Sequence, residues 1–145
     1  MNIEALYNIY SQHYLVDTDS RKIRKNTIYF ALKGENFDGN VFAKEALSKG
    51  AILSIVDEKK YATKDTIIFV EDVLKTLQQL ASFHRKKLNI PIIGLTGSNG
   101  KTTTKELINT ILETQLKTTA TVGNLNNHIG VPLTLLSMTP KTEIG

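Results

Sequence analysis

The amino-acid sequence predicts an α/β fold in two parts: a small N-terminal α/β domain over residues 1–89, then the first part of a nucleotide-binding α/β domain over residues 90–145. Three observations predict it. Short β-branched and aromatic runs alternate with amphipathic stretches, the pattern of strand and helix in turn. A glycine loop, Thr96 to Thr104, stands between the apolar run Ile92 to Leu95 and an amphipathic stretch, and strand, loop and helix in that order cradle phosphate. Asn89 and Pro91 break the helical pattern between the two parts and place a boundary near Leu88 to Pro91.

Ile3, Leu6, Tyr7 and Tyr10 recur at helical spacing and predict a short opening helix, followed by a charged turn. Thr27 to Leu32 and Ala51 to Val56 read as strands. Between them Phe42, Ala43, Ala46 and Leu47 share a helical face that ends at Gly50, so the three form a strand–helix–strand unit. Thr66 to Val70 reads as another strand, and Glu71-Asp72 puts carboxylates where a long helix begins. Val73, Leu77, Leu80 and His84 lie on one stripe of that helix, with Arg85, Lys86 and Lys87 in its last turn.

Beyond the boundary, strand Ile92 to Leu95 leads through the loop to a helix with apolar pairs Leu107/Ile111 and Ile108/Leu112. Thr118 to Val122 reads as a strand and the Asn-rich stretch Gly123 to Gly130 as a loop. Pro132 suits the first turn of a closing helix through Met138, and Glu143 to Gly145 reads as the start of a further strand.

The loop carries the most chemistry. Gly97 and Gly100 let successive N–H groups approach an anion, and a helix starting near Lys101 adds the positive end of its dipole. Lys101 is placed to reach β and γ phosphates, and the Thr102 hydroxyl suits magnesium, a hard cation that prefers oxygen. The expected ligand is ATP or GTP, bound by Gly97, Ser98, Asn99, Gly100, Lys101, Thr102 and Thr103. The first glycine of the common pattern G-x-x-x-x-G-K-[ST] would fall at Leu95, so the loop reads T-G-x-x-G-K-T instead. The bland alternative is an ordinary turn capping a helix.

Composition excludes several classes. The chain has no cysteine, hence no disulfide or thiolate metal site. Its 18 basic and 14 acidic residues give a mild +4, which suits polyanionic small molecules better than nucleic acid. No apolar run approaches the ~20 residues that cross a bilayer, and the start lacks the features of a signal peptide. A soluble, cytoplasmic, monomeric protein without membrane insertion is expected.

Thr96-Gly97-Ser98-Asn99-Gly100-Lys101-Thr102-Thr103-Thr104-Lys105-Glu106 resembles the ATP loop of the Mur ligase family, which builds the peptide of bacterial cell-wall precursors. Asp19-Ser20-Arg21 resembles its N-terminal D-[ST]-R signature, and Ile28 to Gly34 followed by Phe37-Asp38-Gly39 resembles the strand and loop that hold uridine. Gly123 to Thr134, with Asn124-Leu125-Asn126-Asn127-His128-Ile129-Gly130-Val131-Pro132, is similar to the segment marking the branch that adds D-alanyl-D-alanine to UDP-N-acetylmuramoyl tripeptide.

The resemblance runs from near Asp17 to Pro140 and implies an N-terminal piece of a three-domain, ATP- and magnesium-dependent ligase. Residues 1–89 would bind the UDP substrate and residues 90–145 would begin the central ATP-binding domain. The whole enzyme would phosphorylate the tripeptide carboxylate, and the D-alanyl-D-alanine amine would attack the acyl phosphate. Lys101 and Thr102 would be catalytic, with Thr102 on the metal. Ser20, Arg21, Glu35, Asn36 and Phe37 would hold the uridine end, Phe37 by stacking, and Asn126 and Asn127 the part nearer the sugar. The 145 residues alone would be inactive.

By themselves these residues read more plainly. Arg21 to Lys25 is a charge run of the kind solvated in turns, Glu35 to Phe37 an exposed tip, and Asn124, Asn126 and Asn127 satisfy turn backbone. His13, His84 and His128 have no metal-ligand spacing, and His84 on an apolar stripe reads as core. Two other readings stand beside the first: another Mur-type or folylpolyglutamate synthase-like ligase, and a non-catalytic nucleotide-binding module.

Overall fold

A computed structural model describes residues 1–145. In chain order the elements are α1 (Ile3–Tyr10), β1 (Val16–Asp17), β2 (Ile28–Phe30), β3 (Lys33–Gly34), β4 (Phe37–Asp38), α2 (Ala43–Ser48), β5 (Leu53–Val56), β6 (Ile67–Phe69), α3 (Val73–Leu88), α4 (Lys101–Leu112) and α5 (Gly130–Leu135). Single 3₁₀ turns cover Gly39–Phe42 and Lys59–Tyr61.

Four strands form one parallel sheet in the order β1-β2-β5-β6, with Val16 opposite Ile28, Ile28 opposite Leu53 and Ser54 opposite Ile67. Both faces are covered, as parallel sheets require. Because side chains alternate along a strand, Ile28 and Phe30 enter one core with Leu6, Tyr10, Leu77 and Leu80, while Tyr29 enters a second with Ala43, Ala46 and Val56. The predicted strand–helix–strand unit is thus β2-α2-β5.

α3 forms where the stripe predicts it, and Val73, Leu77, Leu80 and His84 are all buried. The Asp72 side chain accepts from the Lys75 N–H at 2.8 Å and caps its start. Asn89, at φ 51°, ends it in the left-handed conformation.

Four expectations need correction. The turn after α1 contains β1, whose two residues are too few to show a period. The runs Ile92 to Leu95 and Thr118 to Val122 are not regular strands. Gly145 N–H bonds the Pro91 carbonyl at 3.0 Å, Ile93 N–H bonds the Gly145 carbonyl at 2.9 Å, and Thr118 bridges Ile144 in parallel. Residues 143–145 pair only those short stretches, so Gly94, Leu95 and Ala120 to Val122 lack a backbone ladder. On α4 the pair Ile108/Leu112 is half-buried, whereas Leu107 and Ile111 are 61% and 69% exposed. The closing helix ends at Leu135 rather than Met138, and Ser137 and Met138 continue it as a turn.

That turn seals the core under α1 and α3. Leu136 is 1% exposed among Leu6, Tyr10, Leu77 and Leu80, the Tyr10 hydroxyl donates to the Leu136 carbonyl at 2.9 Å, and His84 Nε2 bonds the Met138 carbonyl at 2.9 Å. One core therefore spans residues on both sides of Leu88 to Pro91. No helix is long and apolar enough to cross a membrane.

Candidate functional site

The phosphate loop is built by backbone conformation. Gly97 and Gly100 adopt φ 144° and 76°, a region costly for any residue with a Cβ. Gly100 caps α4 without a side-chain hydrogen bond, and the first backbone bond to close the helix is Thr104 N–H to the Gly100 carbonyl, 2.9 Å. The N–H groups of Lys101, Thr102 and Thr103 have no acceptor in the chain, leaving three donors at the positive end of a 12-residue helix. Ser98, Asn99, Thr102 and Thr103 are exposed. Lys101 Nζ folds back to donate to the Gly97 carbonyl, its only partner. These features suit a polyphosphate, and the neighbouring Thr102 hydroxyl is free for a hard cation.

One turn further along α4, Lys105 has a different environment. Its Nζ donates to the carbonyls of Thr121 and, at 3.1 Å, Gly123, and pairs with Glu106 at 2.7 Å; its side chain is 17% exposed. The loop motif contains Lys105 without giving it a role, although its spacing of four from Lys101 sets both on one helical face. A cavity of about 300 Å³ lies beside the two lysines and reaches Asn109, Thr121, Asn124 and Asn126.

The Asn-rich loop leads into α5. Asn127 Oδ1 accepts from the N–H groups of Ile129 and Gly130 at 3.1 and 2.7 Å, so the plain reading of this residue, satisfaction of turn backbone, describes its oxygen. Its Nδ2 makes no hydrogen bond and the residue is exposed, as is Asn126. A Cβ on Gly130 would lie 2.4 Å from the Leu125 carbonyl oxygen, which explains why glycine closes the loop. Gln78 Nε2 of α3 donates to the His128 carbonyl at 3.1 Å.

The remaining candidates gather around β2 and the β3–β4 hairpin. Asp19 and Arg21 form a bidentate pair, both bonds 2.9 Å, and the guanidinium holds the Asp19 carboxyl at about 2. The pair is exposed, whereas Ser20 between them is 5% exposed, its carbonyl accepting from Lys49 Nζ at 2.9 Å. Buried Tyr29 bonds the Gly39 carbonyl at 3.1 Å. Burial pushes its phenol up to about 12, with Asp19, Asp38 and Glu45 adding to the rise and the Ser20 side chain opposing it.

Glu35 and Asn36 form the two-residue tip of the hairpin, and Phe37 stacks on Phe42 with centroids 5.6 Å apart and planes 12° from parallel. Phe37 is still 45% exposed, so one ring face remains open. Fully buried Asn40 fixes the hairpin base, donating to Asp38 and Asp57 and accepting from the Asp57 N–H. The Ser20-to-Phe37 group and the phosphate loop share no hydrogen bond or ion pair. His84 is core, as expected: it sits among Tyr7, Tyr10 and Tyr14 with its Nδ1 unpaired, and burial lowers its pKa. No cluster of three or more His, Asp or Glu side chains is disposed to hold a metal.

Against known proteins, residues 12–85 match the profile of the Mur ligase family, catalytic domain, and residues 95–145 that of the Mur ligase middle domain. The UDP-N-acetylmuramoyl-tripeptide–D-alanyl-D-alanine ligase of Bacillus subtilis is 44% identical over 131 residues, 89% of this chain and 29% of the relative. The Escherichia coli protein of the same name is 40% identical over 128 residues, 88% of this chain and 28% of the relative. Among solved structures, MurF ligase from Thermotoga maritima in complex with ADP aligns with TM-score 0.79 at 35% identity, covering 90% of this chain and 30% of that one. MurF from Acinetobacter baumannii aligns with TM-score 0.78 at 36% identity, covering 89% and 28%. The chain thus spans under a third of the length of these relatives. With the catalytic-domain profile covering half of its residues and the middle-domain profile, which includes the phosphate loop, most of the rest, the chain belongs to the Mur ligase family.

Proposed function

We propose that this chain contributes the UDP-substrate-binding part, residues 1–89, and the start of the ATP-binding part, residues 90–145, of a MurF-type ligase. That enzyme joins D-alanyl-D-alanine to UDP-N-acetylmuramoyl tripeptide through an acyl phosphate during peptidoglycan precursor synthesis. The observation that carries the reading is a phosphate loop with three unpaired N–H groups and two positive-φ glycines, in a chain 44% identical to a ligase of that name. Bound ATP would supply the phosphoryl group, and magnesium held at the Thr102 hydroxyl would neutralise its charge. The same reading makes the protein a monomeric, cytoplasmic enzyme, working on the nucleotide pools of that compartment.

Within it, the chain's own residues divide the work. The N–H groups of Lys101 to Thr103 and the Lys101 ammonium orient the phosphates and stabilise charge as it spreads during transfer, and the Thr102 hydroxyl takes one metal position. The open face of Phe37 receives the uracil, with Glu35 and Asn36 at the hairpin tip and Ser20 and Arg21 beside it holding the uridine end. Asn126 and Asn127 Nδ2 face the sugar side.

Calorimetric titration with UDP-N-acetylmuramoyl tripeptide, UDP and ATP tests this. The tripeptide should bind more tightly than UDP, and UDP binding should be independent of ATP. Equal affinity for UDP and the tripeptide, or binding of ATP alone, would remove the ligase reading in favour of a plain nucleotide-binding module.

A further inference from the structure

We infer that Lys105 is a positioning residue that sets the Asn-rich loop in register with the phosphate loop, so that binding of the UDP-linked substrate depends on it while binding of ATP does not. The inference rests on the ligase reading above for the identity of the substrate. Lys101 and Lys105 stand one turn apart on α4 with their ammonium groups engaged in opposite ways. An ammonium has three N–H donors. Lys101 uses one, on the Gly97 carbonyl of its own loop, and keeps two for phosphate. Lys105 uses all three, on the carbonyls of Thr121 and Gly123 and on the Glu106 carboxylate. Its side chain is more than four-fifths covered, so it is a tether rather than a phosphate ligand.

The tether matters because of what it joins. Thr121 and Gly123 lead directly into Asn124, Asn126 and Asn127, and residues 120–122 have no strand ladder to hold them. The far end of the loop is fixed independently by Asn127 Oδ1 on Ile129 and Gly130, by the close approach of Gly130 to Leu125, and by Gln78 on His128. Lys105 is the side chain that fixes the near end, and it does so from the helix whose N-terminus forms the phosphate cradle. Glu106 keeps the ammonium charge balanced at that point.

The experiment compares Lys105→Met and Lys105→Arg with the parent in the full-length protein, by steady-state kinetics and by amide hydrogen exchange without ligand. Loss of the two charge-assisted hydrogen bonds to the loop carbonyls, together with the Glu106 pair, should raise KM for the UDP-linked tripeptide about 10- to 100-fold in Lys105→Met. KM for ATP should stay within about 2-fold, a split that general destabilisation would not produce. Exchange over residues 123–128 should quicken while β2 and β5 keep their protection, and Lys105→Arg, which retains donors and charge, should recover most of both effects. Unchanged exchange over 123–128, or ATP and tripeptide KM rising in step, would overturn the inference. A parent protein that binds no UDP-linked peptide would overturn the ligase reading instead, and the exchange measurement would still decide for or against the tether.

Discussion

Tyr10→Phe is the sharpest probe of how the two ends of this chain are joined. The ring is 1% exposed and packs on His84 with centroids 5.0 Å apart, so removing only the hydroxyl leaves the packing and volume of the core intact. What is lost is a buried hydrogen bond of 2.9 Å to the Leu136 carbonyl. That carbonyl has no helical donor, because the residue four positions on is Pro140, and burial keeps it from water. The cost is therefore that of an unpaired buried acceptor, about 1–3 kcal/mol, rather than that of an exchanged surface bond. For a chain of this size it corresponds to a fall in melting temperature of roughly 3–10 °C. Thermal unfolding followed by circular dichroism measures it, with Tyr14→Phe as control, since the half-buried Tyr14 hydroxyl makes no hydrogen bond. A Tyr10→Phe protein melting within about 1 °C of the parent, or a control falling as far, would refute the assignment of this bond as a tie between α1 and the segment after α5.

Three further outcomes follow from the site and the core. Burial lowers the His84 pKa below its ordinary 6.5, so the folded state favours the neutral ring. The stability this contributes is complete above about pH 6.5 and is lost as pH falls toward the lowered value, at up to about 1.4 kcal/mol per pH unit. His84→Gln should flatten that part of a melting-temperature profile, and a profile of unchanged slope would refute it. Gly130→Ala places a Cβ 2.4 Å from the Leu125 oxygen and should destabilise the fold by about 1–3 kcal/mol, read as a lower urea midpoint, with the same midpoint as parent counting against a close approach there. Lys101→Ala should abolish ATP binding in calorimetry yet leave UDP affinity intact, whereas Ser20→Ala and Phe37→Ala should weaken UDP alone; loss of both ligands together in any of the three would contradict two separate subsites.

The N-terminal elements were legible because each carries a strong local signal. The stripe Val73, Leu77, Leu80, His84 with Asp72 before it and Asn89 after it specifies α3 almost to the residue. β1 was not legible, since two residues held by pairing with β2 and by the Asp17–Arg24 ion pair, 2.7 Å, have no periodicity of their own. Ile92 to Leu95 shows the opposite failure: an apolar run has strand propensity, but a strand exists only where a neighbour supplies donors and acceptors. In the site, the glycine loop was readable from spacing alone because positive φ demands glycine at Gly97 and Gly100. The division of duty between the amide oxygen and the amide nitrogen of Asn127 was not, because it depends on the local turn geometry, and the engagement of Lys105 was not, because it depends on carbonyls brought near by the fold rather than on neighbours in sequence.

The core shared by α1, α3 and Leu136 has a consequence for how the protein is made. All other members of that cluster lie within the first 81 residues, so they emerge from the ribosome well before the leucine that completes it. At roughly 5–20 residues per second, a nascent chain spends several seconds with the α1–α3 groove uncovered while the phosphate-loop segment is still being synthesised. Tyr10 and His84, which cap that groove by bonding the carbonyls of Leu136 and Met138, are in that interval polar groups on an open apolar surface. The two parts of the chain thus cannot mature one after the other; the first is finished only by a segment encoded beyond the phosphate loop.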